Sequence, residues 1–144
     1  MFYSEGVGTA RDDAKSLEWA KRAAEGGHPV SQLIMGMRFN QGVGVTRDPE
    51  QAITWWGKAA DRGFTRAQVM LGDLLAALAA APDAKPEQAS AQRVEAAKWL
   101  LISDSERLPG AEKLLPSLKE KMTPEEISAA EDKARDWRPA GAAK

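Results

Sequence analysis

Shifted by 36 residues, this chain falls onto itself without a gap, Tyr3 lying over Phe39. Gly6, Val7, Gly8, Arg11, Asp12, Trp19, Ala23, Ala24, Gly27, Gln32 and Gly36 each meet an identical residue. Their partners run from Gly42 through Trp55 and Gln68 to Gly72. These are eleven matches over 37 positions. Chance would give roughly two or three, and a fixed period of this length marks a repeat array. Each unit of such an array packs on its neighbours alone, so the units must stack. Stacks of this kind are surfaces for holding partners more often than pockets for chemistry.

Each unit reads as two helices, A and B. Asp48 suits an N-cap and Pro49 the first helical position, where a missing N–H costs nothing. Ala52, Trp55, Trp56, Ala59 and Ala60 then form one stripe of a B helix that Gly63 ends. The preceding B helix is expected from about Asp13 to Gly26, with Ser16, Trp19, Ala20, Ala23 and Ala24 on its stripe and Asp12 as its cap. The A helices carry Ser31, Met35, Gly36 and Phe39, and then Ala67, Leu71, Gly72 and Leu75. Glycine at a helix interior costs about 0.8–1.0 kcal/mol relative to alanine. Its repetition at Gly36 and Gly72 implies a neighbouring helix in close approach. Gly6-Val7-Gly8 and Gly42-Val43-Gly44 read as the turns between A and B.

The third unit departs from the period, because Trp99 follows Trp55 by 44 residues. An insertion around Ala79 to Gln92 is expected to form a long Ala- and Pro-rich loop. A B helix should then cover about Gln88 to Ser103, followed by an A-like helix from about Ala111 to Lys121. Thr123-Pro124-Glu125-Glu126 has capping-box spacing and opens a last helix to about Trp137. The organisation expected is one domain over 1–144, with units at about 3–29, 30–65 and 66–108. Capping helices follow at about 110–138, then a disordered tail at 139–144. At the other end the first unit has its B helix without its A helix. A missing N-terminal part is the expectation that accounts for this best; the alternative is that Phe2 and Tyr3 fold back over the open face, and an uncapped end should self-associate.

The unit resembles the Sel1-like repeat, a relative of the tetratricopeptide repeat. The residues that carry the likeness are Phe39, Gly42, Gly44, Val45, Asp48, Ala52, Trp55, Lys58, Ala59, Ala60 and Gly63, with Ala67, Leu71 and Gly72. Lys98-Trp99-Leu100-Leu101 and Met122-Thr123-Pro124-Glu125-Glu126 look like the usual ending of bacterial members. The resemblance implies an all-α, right-handed solenoid of antiparallel helix pairs. It also implies an adaptor that binds a protein or peptide on its helix A (concave) face or, alternatively, an immunity protein that binds and neutralises a secreted bacterial effector. A Cys-rich subgroup is linked to β-lactam chemistry. This chain has no Cys, so that activity does not carry over.

The remaining residues give little sign of catalysis. His28 is the only histidine and falls in a turn after Gly26-Gly27, so it reads as an exposed loop residue. No nucleophile or zinc motif occurs. The five Trp residues at helical spacing read as core, with Trp56, whose counterpart is Ala20, the one expected to be partly exposed. No cofactor or metal is expected. Lys plus Arg total 20 against 21 for Asp plus Glu, which leaves no cationic excess for nucleic acid. No apolar run reaches the ~20 residues of a membrane span. Met1-Phe2-Tyr3-Ser4 opens no signal peptide, so the cytoplasm is the default compartment, with the periplasm as the alternative if the N-terminus is truncated. The partner site is placed on helix A. At 100° per residue, Leu33, Met37, Asn40 and Gln41 should face outward, with Val69, Asp73, Ala76 and Ala77 as equivalents. These form the candidate partner-binding set: Leu33, Met37, Asn40, Gln41, Val69 and Asp73.

Overall fold

The computed structural model describes residues 7–104 and 111–139. Phe2, Tyr3, Gly6, the 105–110 segment and the tail from 140 onward lie outside the described residues. Among those described there are seven helices and no strand: α1 (Val7–Glu25), α2 (Pro29–Gln41), α3 (Pro49–Asp61), α4 (Thr65–Ala79), α5 (Pro86–Asp104), α6 (Ala111–Lys119) and α7 (Pro124–Asp136). Contacts gather the chain into two compact units, Met1–Ala59 and Ala60–Lys144.

In the first unit α1 and α2 pack together across a three-residue turn, which makes them antiparallel neighbours. His28 starts α2. It stands in extended conformation, and its Nδ1 accepts from the Ser31 amide at 3.2 Å. A residue that reads as an idle turn position is thus an N-cap, with Pro29 behind it. Gly42 and Gly44 both hold positive φ (75° and 78°), which lets the chain reverse between α2 and α3. Asp48 then accepts from the amides of Glu50 and Gln51, as an N-cap should.

The corresponding start of α1 differs. Val7 and Gly8 are already helical, so they are not a turn, and Asp12 lies inside α1, not at its cap. The physical reason is local: Asp48 is followed by Pro49, which fixes a helix start, whereas Asp12 is followed by Asp13.

The stripe on α3 is buried as its spacing requires: Ala52, Trp55, Trp56, Ala59 and Ala60 all lie in the core. Trp55 packs with Ala24 and Met35, and with the half-buried Leu17, Ala20 and Phe39. Trp56 is only 2% exposed, which corrects the expectation that it would be the partly exposed indole. It lies flat against Gly36, where a Cβ would sit 2.2 Å from its Nε1, and that Nε1 donates to the Leu33 carbonyl at 3.0 Å. Glycine at 36 is therefore the socket for an indole. Trp19 is the exposed one, at 69%. It is the repeat equivalent of Trp55, but α1 is the first described helix, and among the described residues none plays for it the part of Met35 and Phe39.

In the second unit α5 packs against α4, α6 and α7. Gly72 repeats the socket, with Leu100 where the first unit has Trp56; a Cβ there would meet Leu100 Cγ at 3.0 Å. The expected long loop is mostly helix. α4 runs to Ala79 and α5 begins at Pro86, so only 80–85 connect them, and α5 has 19 residues against 13 in α3. Pro86 at the first helical position and good helix formers after it account for the gain. α7 opens on the expected capping box: Thr123 Oγ1 accepts from the Glu126 amide (3.1 Å), and Glu126 Oε1 accepts from the Thr123 amide (3.0 Å). Trp99 meets Trp137 edge to face, with ring centres 5.8 Å apart.

One polar device recurs in both units. Gln32 Nε2 donates to the Ala24 carbonyl and Gln68 Nε2 to the Ala60 carbonyl, both at 3.1 Å and both buried. These carbonyls belong to the last turns of α1 and α3, where each also accepts from a backbone amide, that of Gly27 or Gly63, at 3.0 Å. The repeated glutamine gives each carbonyl a second donor and ties its own helix to the turn before it.

Candidate partner-binding faces

The outward side of α2 is built from Val30, Ile34, Met37 and Gln41, which follow i, i+4, i+7 and i+11 on one stripe. Val30 and Ile34 are exposed, Met37 is half-buried and Gln41 is exposed. Asn40 is half-buried, and its carbonyl accepts from Arg47 Nε at 2.9 Å. Leu33, expected outward, is buried at 5%. Its carbonyl receives the Trp56 indole, so this side of α2 is the one α3 covers. Val30 and Ile34 take its place. The signal for them was available in the sequence, as apolar residues one turn apart on the side of Met37, but the stripe was set by Leu33 instead.

In the second unit the equivalent stripe on α4 is Arg66, Met70, Asp73 and Ala77. Met70 is half-buried and the other three are exposed; Val69 is half-buried. The lower end of this stripe forms a wall of a cavity of about 230 Å³. Ala76 and Ala77 of α4 face Leu114 and Leu118 of α6, with Leu100 of α5 in the floor. The space exists because alanines stand where longer side chains would fill it. Asp73 and Lys121 stand in the rim, and neither has an ion-pair partner among the described residues.

Arg93 also reaches this cavity, but its guanidinium is committed. It donates to both carboxylate oxygens of Glu126, at 2.9 and 3.3 Å, while the Ser90 hydroxyl bonds the same carboxylate. Hydrogen bonding from Arg93 is the main reason the Glu126 carboxyl is lowered to about 2. Ser90 and the Thr123 amide add to it and outweigh burial, which acts in the opposite direction. The pair fastens α7 to α5.

Among the described residues, no group of three His, Cys, Asp or Glu is placed to hold a metal ion. No described helix is long and apolar enough to cross a membrane.

These features define an all-α protein of repeated helix pairs. The family model of the Sel1 repeat matches residues 1–28 and 29–64. Over those residues the chain matches two tandem copies of the Sel1 repeat. Among solved structures it is similar to a protective antigen present in uropathogenic Escherichia coli strains that displays an SLR fold. That likeness has a TM-score of 0.70 at 28% identity and covers 84% of this chain. The chain spans about a quarter (24%) of that protein. No curated protein matches the chain. The fold class is therefore the helical solenoid of Sel1-like repeats, a class of protein-interaction scaffolds.

Proposed function

We propose that this chain is a non-catalytic scaffold that holds a protein or peptide segment on the outward stripes of its A helices. Met37, Asn40 and Gln41 of α2 and Val69 and Asp73 of α4 remain in that set; Val30 and Ile34 join it, and the buried Leu33 leaves it. The observation that carries the reading is the run of Val30, Ile34 and Met37 along one side of α2. Apolar side chains gathered on one face are what interaction surfaces use, and Met adapts its shape to a partner. Affinity capture from the source organism, followed by purification of the protein found, supplies the partner. Ile34→Glu with Met37→Glu should then weaken its binding by more than about tenfold, as anchor residues do, with helical circular dichroism unchanged. Unaltered affinity would remove this face.

A second property rests on Trp19. An indole 69% exposed on α1 favours self-association through that helix.

A further inference from the structure

Among the described residues, the groove of the second unit presents one unpaired charge of each sign above an apolar floor. Its volume of about 230 Å³ falls below the ~300–1,000 Å³ of small-molecule pockets, so it accommodates one or two side chains, not a cofactor. Ala76, Ala77, Leu114 and Leu118 offer only hydrocarbon to whatever enters. Orientation must come from the rim. Arg93 offers no unbalanced charge, because its Nε and Nη2 donate to the Glu126 carboxylate. What remains is Asp73 on α4 and Lys121 beyond the end of α6, on different walls and without partners among the described residues.

We propose that this groove takes a peptide whose apolar side chains are flanked by a basic residue on one side and an acidic residue on the other. The proposal rests on the scaffold reading above and adds the chemistry of the segment. A segment with two acidic flanks would place one carboxylate beside Asp73, and one with two basic flanks would place an ammonium beside Lys121. Only the mixed order meets an opposite charge at both walls.

The test is methyl-resolved NMR of the full chain at low salt with three probes: acetyl-Lys-Leu-Leu-Glu-amide, acetyl-Glu-Leu-Leu-Glu-amide and acetyl-Lys-Leu-Leu-Lys-amide. The mixed peptide should shift the methyls of Ala76, Ala77, Leu114 and Leu118. It should bind roughly 2–5-fold tighter than either like-charged peptide, the gain an exposed ion pair gives. That advantage should vanish near 1 M salt, where the screening length is about 3 Å. Asp73→Lys should transfer the preference to the doubly acidic peptide. Ala77→Phe, a change at an exposed position, should fill the groove and abolish all the shifts. Equal affinities for the three peptides would overturn the proposal, as would still methyls at millimolar peptide. So would shifts that follow protein concentration without peptide, which would mark a second copy as the occupant. Failure here leaves partner capture on α2 standing, since that reads Ile34 and Met37. Loss of the α2 effect with the charge preference intact would spare the groove.

Discussion

Gly36→Ala should destabilise the protein by about 3 kcal/mol, although helix propensity alone argues for a gain. Alanine in a helix interior is favoured over glycine by about 0.8–1.0 kcal/mol. Against this stands the Trp56 ring, whose Nε1, Cδ1 and Cε2 would lie 2.2, 2.3 and 2.7 Å from the new methyl. No flexible tip can bend away, because the ring is 2% exposed and closely surrounded. Overpacking of this kind costs about 1–3 kcal/mol. Displacing the ring also breaks the bond from its Nε1 to the Leu33 carbonyl. A buried N–H left without a partner costs about 1–3 kcal/mol more. The centre of these ranges, less the propensity gain, is about 3 kcal/mol. Urea unfolding followed by Trp fluorescence should show the midpoint falling by about 1.5 M at an m-value near 2 kcal/mol/M. Gly57→Ala is the internal control. It changes the same residue type in the interior of α3, where a Cβ meets nothing within 4 Å. That variant should gain about 1 kcal/mol. If Gly36→Ala matched the wild type or resembled Gly57→Ala, the socket account would be wrong.

Two further outcomes are expected. The Glu126 carboxyl is lowered from 4.5 to about 2. Its contribution is thus complete above pH 4.5 and is lost as the pH falls toward 2. A shift of that size corresponds to about 3 kcal/mol. Glu126→Gln should lower stability at pH 7 and flatten the acid limb of a urea-midpoint series; parallel limbs in variant and wild type would refute the linkage. Light scattering at high concentration should show self-association that Trp19→Ser abolishes without loss of helicity, and a clean monomer for the wild type would exclude it.

The sequence by itself determined the element types, the two-helix unit and most of the core. A 36-residue period, Asp-Pro and Thr-Pro helix starts, and Ala–Trp stripes are local signals, and the helices they mark stand within a few residues of expectation, except that α1 begins at Val7 and not near Asp13. Local rules also explain the repeated glycines as places of close approach. They failed where a residue's fate depends on what stands opposite. Trp19 and Trp55 are identical letters in equivalent positions, yet one is 69% exposed and the other 9%, because only Trp55 has Met35 and Phe39 beside it. Trp56 and Leu33 were misread for the same reason. The helix wheel gives the angle between two side chains, but the neighbouring helix decides which angle is inside. The partner faces share this limit. Met37, Gln41 and Asp73 were legible as outward positions. The groove beside Asp73 was not, since it depends on how far α6 stands from two alanines of α4.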